Sequence, residues 1–227
     1  MANLKNIINK NQPNFEIWEQ QLNDHLLAQF NPDAIQDKFE HERIFFQTNG
    51  LLSEIAENFF SFGQFKDEWD TSKCSIFPFG QYLLLRSRKM DIVFDWGMDM
   101  KSFYLETNLK HSDNMRFMTD DFWAALLELK TLGKFELSGG GGLNSEQRSY
   151  FENKTSAVFQ LIRTFMLNQT ERMNDGNCQW EYPSLTLKWE MDNNWVSLLE
   201  DSCKAFRLMY QLSYQLWKVD DQMRKKQ

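Results

Sequence analysis

The sequence predicts a helix-rich α+β fold, with a small central β-sheet flanked by helices and a long helix at the C-terminal end. Three observations carry this reading. Apolar residues recur at helical spacing over residues 13–62 and again over 194–224. Between them, residues 75–109 divide into short runs of β-branched, aromatic and aliphatic residues with glycines at the breaks. A hydrophobic content of 42%, including 20 Phe and 8 Trp, is enough for a substantial core in a chain of 227 residues. The chain reads as one domain over 1–227: a helical segment to 40, a core from 41 to 137, and a helical extension with one strand from 138.

The first helix, over 13–31, places Phe15, Trp18, Leu22, Leu26 and Phe30 close to a 3.6-residue period, and Asn31-Pro32-Asp33 ends it. Helix resumes over 34–62, with Ile44, Phe45, Leu51, Leu52, Ile55 and Phe59 on its apolar face, and Asn49-Gly50 is expected to divide it. Residues 62–73 read as a connector. Strands are expected at 75–79, 81–86, 90–96 and 102–109, broken at Gly80 and Gly97. Thr119 or Asp120 caps a helix to 132, Gly133 closes it, and 134–137 forms one more short strand.

The four glycines at 139–142 read as a flexible loop or linker, and no Lys-Ser or Lys-Thr follows to make a phosphate-binding loop. Asn144-Ser-Glu-Gln147 is a capping pattern for a helix to about 173, which Asp175-Gly176 ends. Leu185, Leu187 and Trp189 alternate on a strand over 184–191. The last helix, 194–224, has an apolar stripe of Val196, Leu199, Phe206, Met209, Leu212, Leu216 and Val219. Its basic end at Arg224-Lys-Lys complements the helix dipole.

Charge narrows the function classes. With 32 acidic against 25 basic residues the net charge is −7, the wrong sign for a chain that coats phosphates non-specifically and the right one for binding a basic partner. Cys74, Cys178 and Cys203 are odd in number and widely spaced, which suits reduced thiols rather than a disulfide framework or a metal motif. No apolar run approaches the ~20 residues that span a bilayer, and the first ten residues lack a signal-peptide core. The expectation is a cytoplasmic protein without membrane contact. His25, His41 and His111 are scattered, and His111 reads as a solvated loop residue. The tryptophans read as core, with Trp96 and Trp123 as the pair able to line a groove.

The chemistry-bearing stretch is 88–110. On regular strands Asp91, Val93 and Asp95 share one face, and Tyr104, Glu106 and Asn108 share another. Pairing matching faces brings Asp91 and Glu106 together as oxygen ligands for Mg²⁺, which needs only two carboxylates when water and a substrate phosphate complete its shell. The ion would polarise the phosphoryl oxygen and lower the pKa of the attacking water. A fainter match of Gly80-Gln81 and Asp91–Asp95 to nucleotidyltransferases has Gln81 for the serine and Val93 for an aspartate.

Here the chain resembles the PD-(D/E)XK nuclease-like superfamily, which includes many type II restriction endonucleases. The family's order of helix, three strands, helix and strand matches residues 41–137. The resemblance implies a mixed central sheet and Asp91 as the motif aspartate. Glu106 follows after fourteen intervening residues, and Asn108 stands where the family has its catalytic lysine. Lys110 is the candidate substitute for that lysine, and Glu54 (or Glu57) matches a supporting helix glutamate. The implied activity is Mg²⁺-dependent hydrolysis of double-stranded DNA by a homodimer, with Asp91, Glu106, Asn108 and Lys110 catalytic and the first two on the metal. The alternative, from the charge and the altered motif, is a non-catalytic acidic interaction protein, an inhibitor or immunity-type partner of a basic protein.

Overall fold

Alternation along the strands decides how the sheet faces. In the computed structural model, which describes residues 5–10, 27, 30–31, 38–77, 80–99, 102–138, 184–190 and 194–225, odd-numbered side chains of Gly80–Ser87 are buried while Tyr82, Leu84 and Arg86 turn the other way. Over Ile92–Asp99 the even-numbered residues are buried, and over Ser102–Asn108 the odd-numbered ones again. Every second residue is thus delivered to one apolar face.

The elements run α1 (Lys38–Gly63), β1 (Trp69–Asp70), β2 (Cys74–Phe77), β3 (Gly80–Ser87), β4 (Ile92–Asp99), β5 (Ser102–Asn108), a 3-10 helix (Ser112–Phe117), α2 (Asp120–Leu132), β6 (Lys134–Ser138), β7 (Ser184–Glu190) and α3 (Trp195–Arg224). The fold is α+β, with a seven-stranded sheet of order β1-β3-β4-β5-β7-β6 and β2 beside β1 on the same edge of β3. Every described pairing is antiparallel. This corrects the expected mixed sheet. Short connections between successive strands β2 to β5 leave a meander as the accessible geometry, because a parallel neighbour needs a long crossover. The expected order of helix, three strands, helix and strand is present, but β7 lies between β5 and the strand that follows α2.

α1 and α3 pack against each other and on the apolar face of the meander, and α2 packs on α3 beside β6 and β7. Leu83, Leu85, Phe94, Trp96, Phe103, Leu105, Leu185 and Leu187 meet Leu52, Ile55, Phe59, Phe206, Met209 and Leu212 in one core. α1 passes unbroken through Asn49-Gly50, against expectation. A mid-helix glycine costs only about 1 kcal/mol relative to alanine. Buried Thr48 on one side and Leu51, Leu52, Ile55 and Phe59 on the other hold the helix across it. α3 begins where the sequence places it, and the structure adds that Asn194 caps it by accepting a hydrogen bond from Val196 N at 3.0 Å. Val196 itself is exposed rather than on the apolar stripe.

Gly97 is also not a break. It sits in mid-β4 between Tyr82 and Tyr104, and a Cβ there would lie 2.7 Å from the Tyr104 ring and from Tyr82 Cβ. The tyrosine covers the glycine, so the position requires a missing side chain. Gly97→Ala is expected to cost ~1–3 kcal/mol through overpacking. Urea unfolding should show part of that recovered when Tyr104→Ala is added, since the two sites are in contact.

A second fixed point is Asp67, in the segment expected as a connector. Its carboxylate accepts from Ser87 Oγ at 2.5 Å, Tyr210 OH at 3.0 Å, Lys89 N at 3.1 Å and Glu68 N at 2.7 Å. It joins the segment before β1 to the β3–β4 turn and to α3. Burial and this carboxylate together push the Tyr210 phenol above its ordinary pKa. Asp67→Ala leaves these donors without their acceptor, and a loss of ~2–4 kcal/mol is expected in a denaturant titration. Of the expected helix at 13–31 only Leu27, Phe30 and Asn31 are described, and Phe30 is exposed rather than on an apolar face. The expected helix at 144–173, the glycines 139–142, Cys178 and His25 lie outside the described residues.

Candidate functional site

The β4–β5 pairing determines which acids meet. Asp95 lies directly opposite Glu106, Trp96 opposite Leu105, and Gly97 opposite Tyr104. Trp96 and Leu105 enter the core, so Asp95 and Glu106 share the other face, on adjacent strands. Such directly opposed residues have Cβ atoms about 5 Å apart. β7 adds Thr186 on the far side of Glu106, and its hydroxyl donates to Glu106 Oε2 at 2.7 Å.

Asp91 is elsewhere. It falls in the β3–β4 turn with φ of 54°, four residues before Asp95, or roughly 13 Å along the strand direction from Glu106. Its carboxylate is held by Lys110 Nζ at 2.9 Å and by Arg86, through Nε at 3.0 Å and through Nη2. Lys110 also donates to the Asp91 carbonyl at 3.1 Å. The hydrogen bonds from Lys110 and then Arg86 lower the Asp91 carboxyl to about 2. The sequence expectation that Asp91 and Glu106 hold one ion is corrected here. A register of 95 against 106 separates them, and two cations occupy Asp91.

The remaining nominated residues are dispersed. Asn108 is exposed at the end of β5, where its Oδ1 accepts from Ser184 Oγ. Lys110 extends away from Glu106, toward Asp91. Glu54 is on α1, on the helical side of the sheet, in an ion pair with Lys10 at 2.5 Å. Trp96 is fully buried in the core rather than lining a groove. Trp123 is half-buried against Phe122, with ring centroids 5.1 Å apart. His111 is not solvated: its ring is 10% exposed, with Nδ1 2.5 Å from Asp220 Oδ2, and Asn114 donates to the same carboxylate at 2.7 Å.

The acid pair carries an electrostatic signature. Burial first, then the Glu106 charge, raise the Asp95 carboxyl to about 6. Its Oδ1 is buried and has no hydrogen-bond partner among the described residues. The nearby Tyr104 phenol is pushed up by burial and by the charges of Asp95 and Glu106. Like charges directly across two strands destabilise a sheet, so this arrangement favours a cation or a shared proton between the two carboxylates. No family model, curated protein or solved structure matches the chain.

Among the described residues no three of His, Cys, Asp and Glu are grouped to hold a metal ion. Asp91 and Glu106 do not fit a shared ion. Asp95 and Glu106 place two carboxylates on adjacent strands, a number that Mg²⁺ accepts when water fills the rest of its shell. Asp95 is the residue that sequence reasoning missed, although it was placed on the same strand face as Asp91. Among the described residues no helix is long and apolar enough to cross a membrane.

Proposed function

We propose that this protein is a non-catalytic acidic interaction protein that binds a basic protein partner, with Asp95 and Glu106 at its anionic centre. The observation that carries the reading is the directly opposed carboxylate pair, one member raised to about 6, with no ion pair to either acid among the described residues. A lysine or arginine of a partner supplies the missing charge, and a guanidinium matches two adjacent carboxylates in geometry as well as sign. The net charge of −7 supports the same partner chemistry. Asp91, Asn108 and Lys110, three of the four residues nominated for catalysis, make their bonds away from Glu106.

The test is affinity capture from native lysate with wild type and an Asp95→Asn/Glu106→Gln variant side by side. A basic protein retained in stoichiometric amount by wild type and lost by the variant is the expected result, with capture weakening as salt screens the contact. Equal capture by both, or none by wild type, rejects the reading.

One observation favours a second reading, a Mg²⁺-dependent endonuclease on double-stranded DNA of the restriction-endonuclease-like type, acting as a homodimer. Asp95 and Glu106, separated by ten residues, pair across β4 and β5 as a motif aspartate and its acidic partner would. In that case Asp95 and Glu106 would hold the ion, and the ion would activate water and polarise the phosphate. Plasmid and linear duplex incubated with Mg²⁺ decide it. Cleavage abolished by Asp95→Ala and retained by Asp91→Ala supports the nuclease, and intact DNA at all times removes it.

A further inference from the structure

We draw no further inference here: the strongest candidate beyond the acid pair, the His111–Asp220–Asn114 cluster that pins the 3-10 helix to α3 with the imidazole Nε2 unpartnered among the described residues, is a cross-link between two elements, and nothing in the structure shows a ligand or a second arrangement for it to serve.

Discussion

Asp95→Asn is expected to make the folded protein more stable at neutral pH, by about 1–3 kcal/mol, although it removes a charged side chain from the middle of a sheet. The sign follows from the direction of the shift. The Asp95 carboxyl is raised to about 6 in the folded chain against 3.8 for the unperturbed group, so the fold holds this proton more tightly than the unfolded chain does. That preference is fully present below the unfolded value and is lost as pH rises through about 6. Above it, the ionised carboxylate faces Glu106 in a half-buried setting.

The amide keeps the shape of the side chain without the charge. Urea titrations at pH ~4.5 and ~7.5 should therefore show wild type weakening across the interval where the variant changes less. Asp91 does not confuse the comparison. Its carboxyl, lowered to about 2 by Lys110 and Arg86, remains ionised throughout that interval. An Asn variant that is less stable than wild type at neutral pH would show that Asp95 has a counter-charge, and would remove the basis of the proposed binding centre.

Phe206→Ala should cause the largest loss of stability, about 3–5 kcal/mol. The ring is fully buried at the middle of α3, stacked on Phe59 at 4.9 Å between ring centroids. Phe94, Trp69, Phe65 and Phe60 surround it at 5.1, 5.4, 5.6 and 5.9 Å. It therefore connects α3 to α1, to the sheet and to the segment leading into β1. Truncation opens a cavity lined by rigid rings that cannot collapse into it, and the aromatic pair energies are lost as well. Phe117→Ala is the matched control, because that ring is 51% exposed and its removal should stay within about 0.5 kcal/mol. Similar midpoints for the two variants in guanidinium unfolding would contradict the packing described for α3.

The differences between expectation and structure trace to pairing. Reading Gly97 as the break between strands places the hairpin centre near it and brings Asp91 toward Glu106. The actual register has Met98 opposite Phe103, so the hairpin centre lies beyond Gly97. That slide places Asp95, rather than Asp91, opposite Glu106. The glycine that suggested a turn serves to seat the Tyr104 ring. Similarly, Asn49-Gly50 has the local chemistry of a helix end, but burial on both sides of it outweighs that preference.

The sequence by itself determined that 38–63 is helical, though not that the helix continues through Asn49-Gly50, the helices at 120–132 and 195–224 to within a few residues, and the presence of β2 to β7. These follow from 3.6- and 2-residue periodicity and from capping chemistry, which act between residues close in the chain. Only the tertiary structure decided that every described strand pairing is antiparallel and that β7 inserts beside β5. It also decided that Glu106 faces Asp95, while Asp91 is neutralised by Arg86 and Lys110. Those depend on which strand lies beside which and in what register, and register is selected by the burial of a whole face rather than by any one residue.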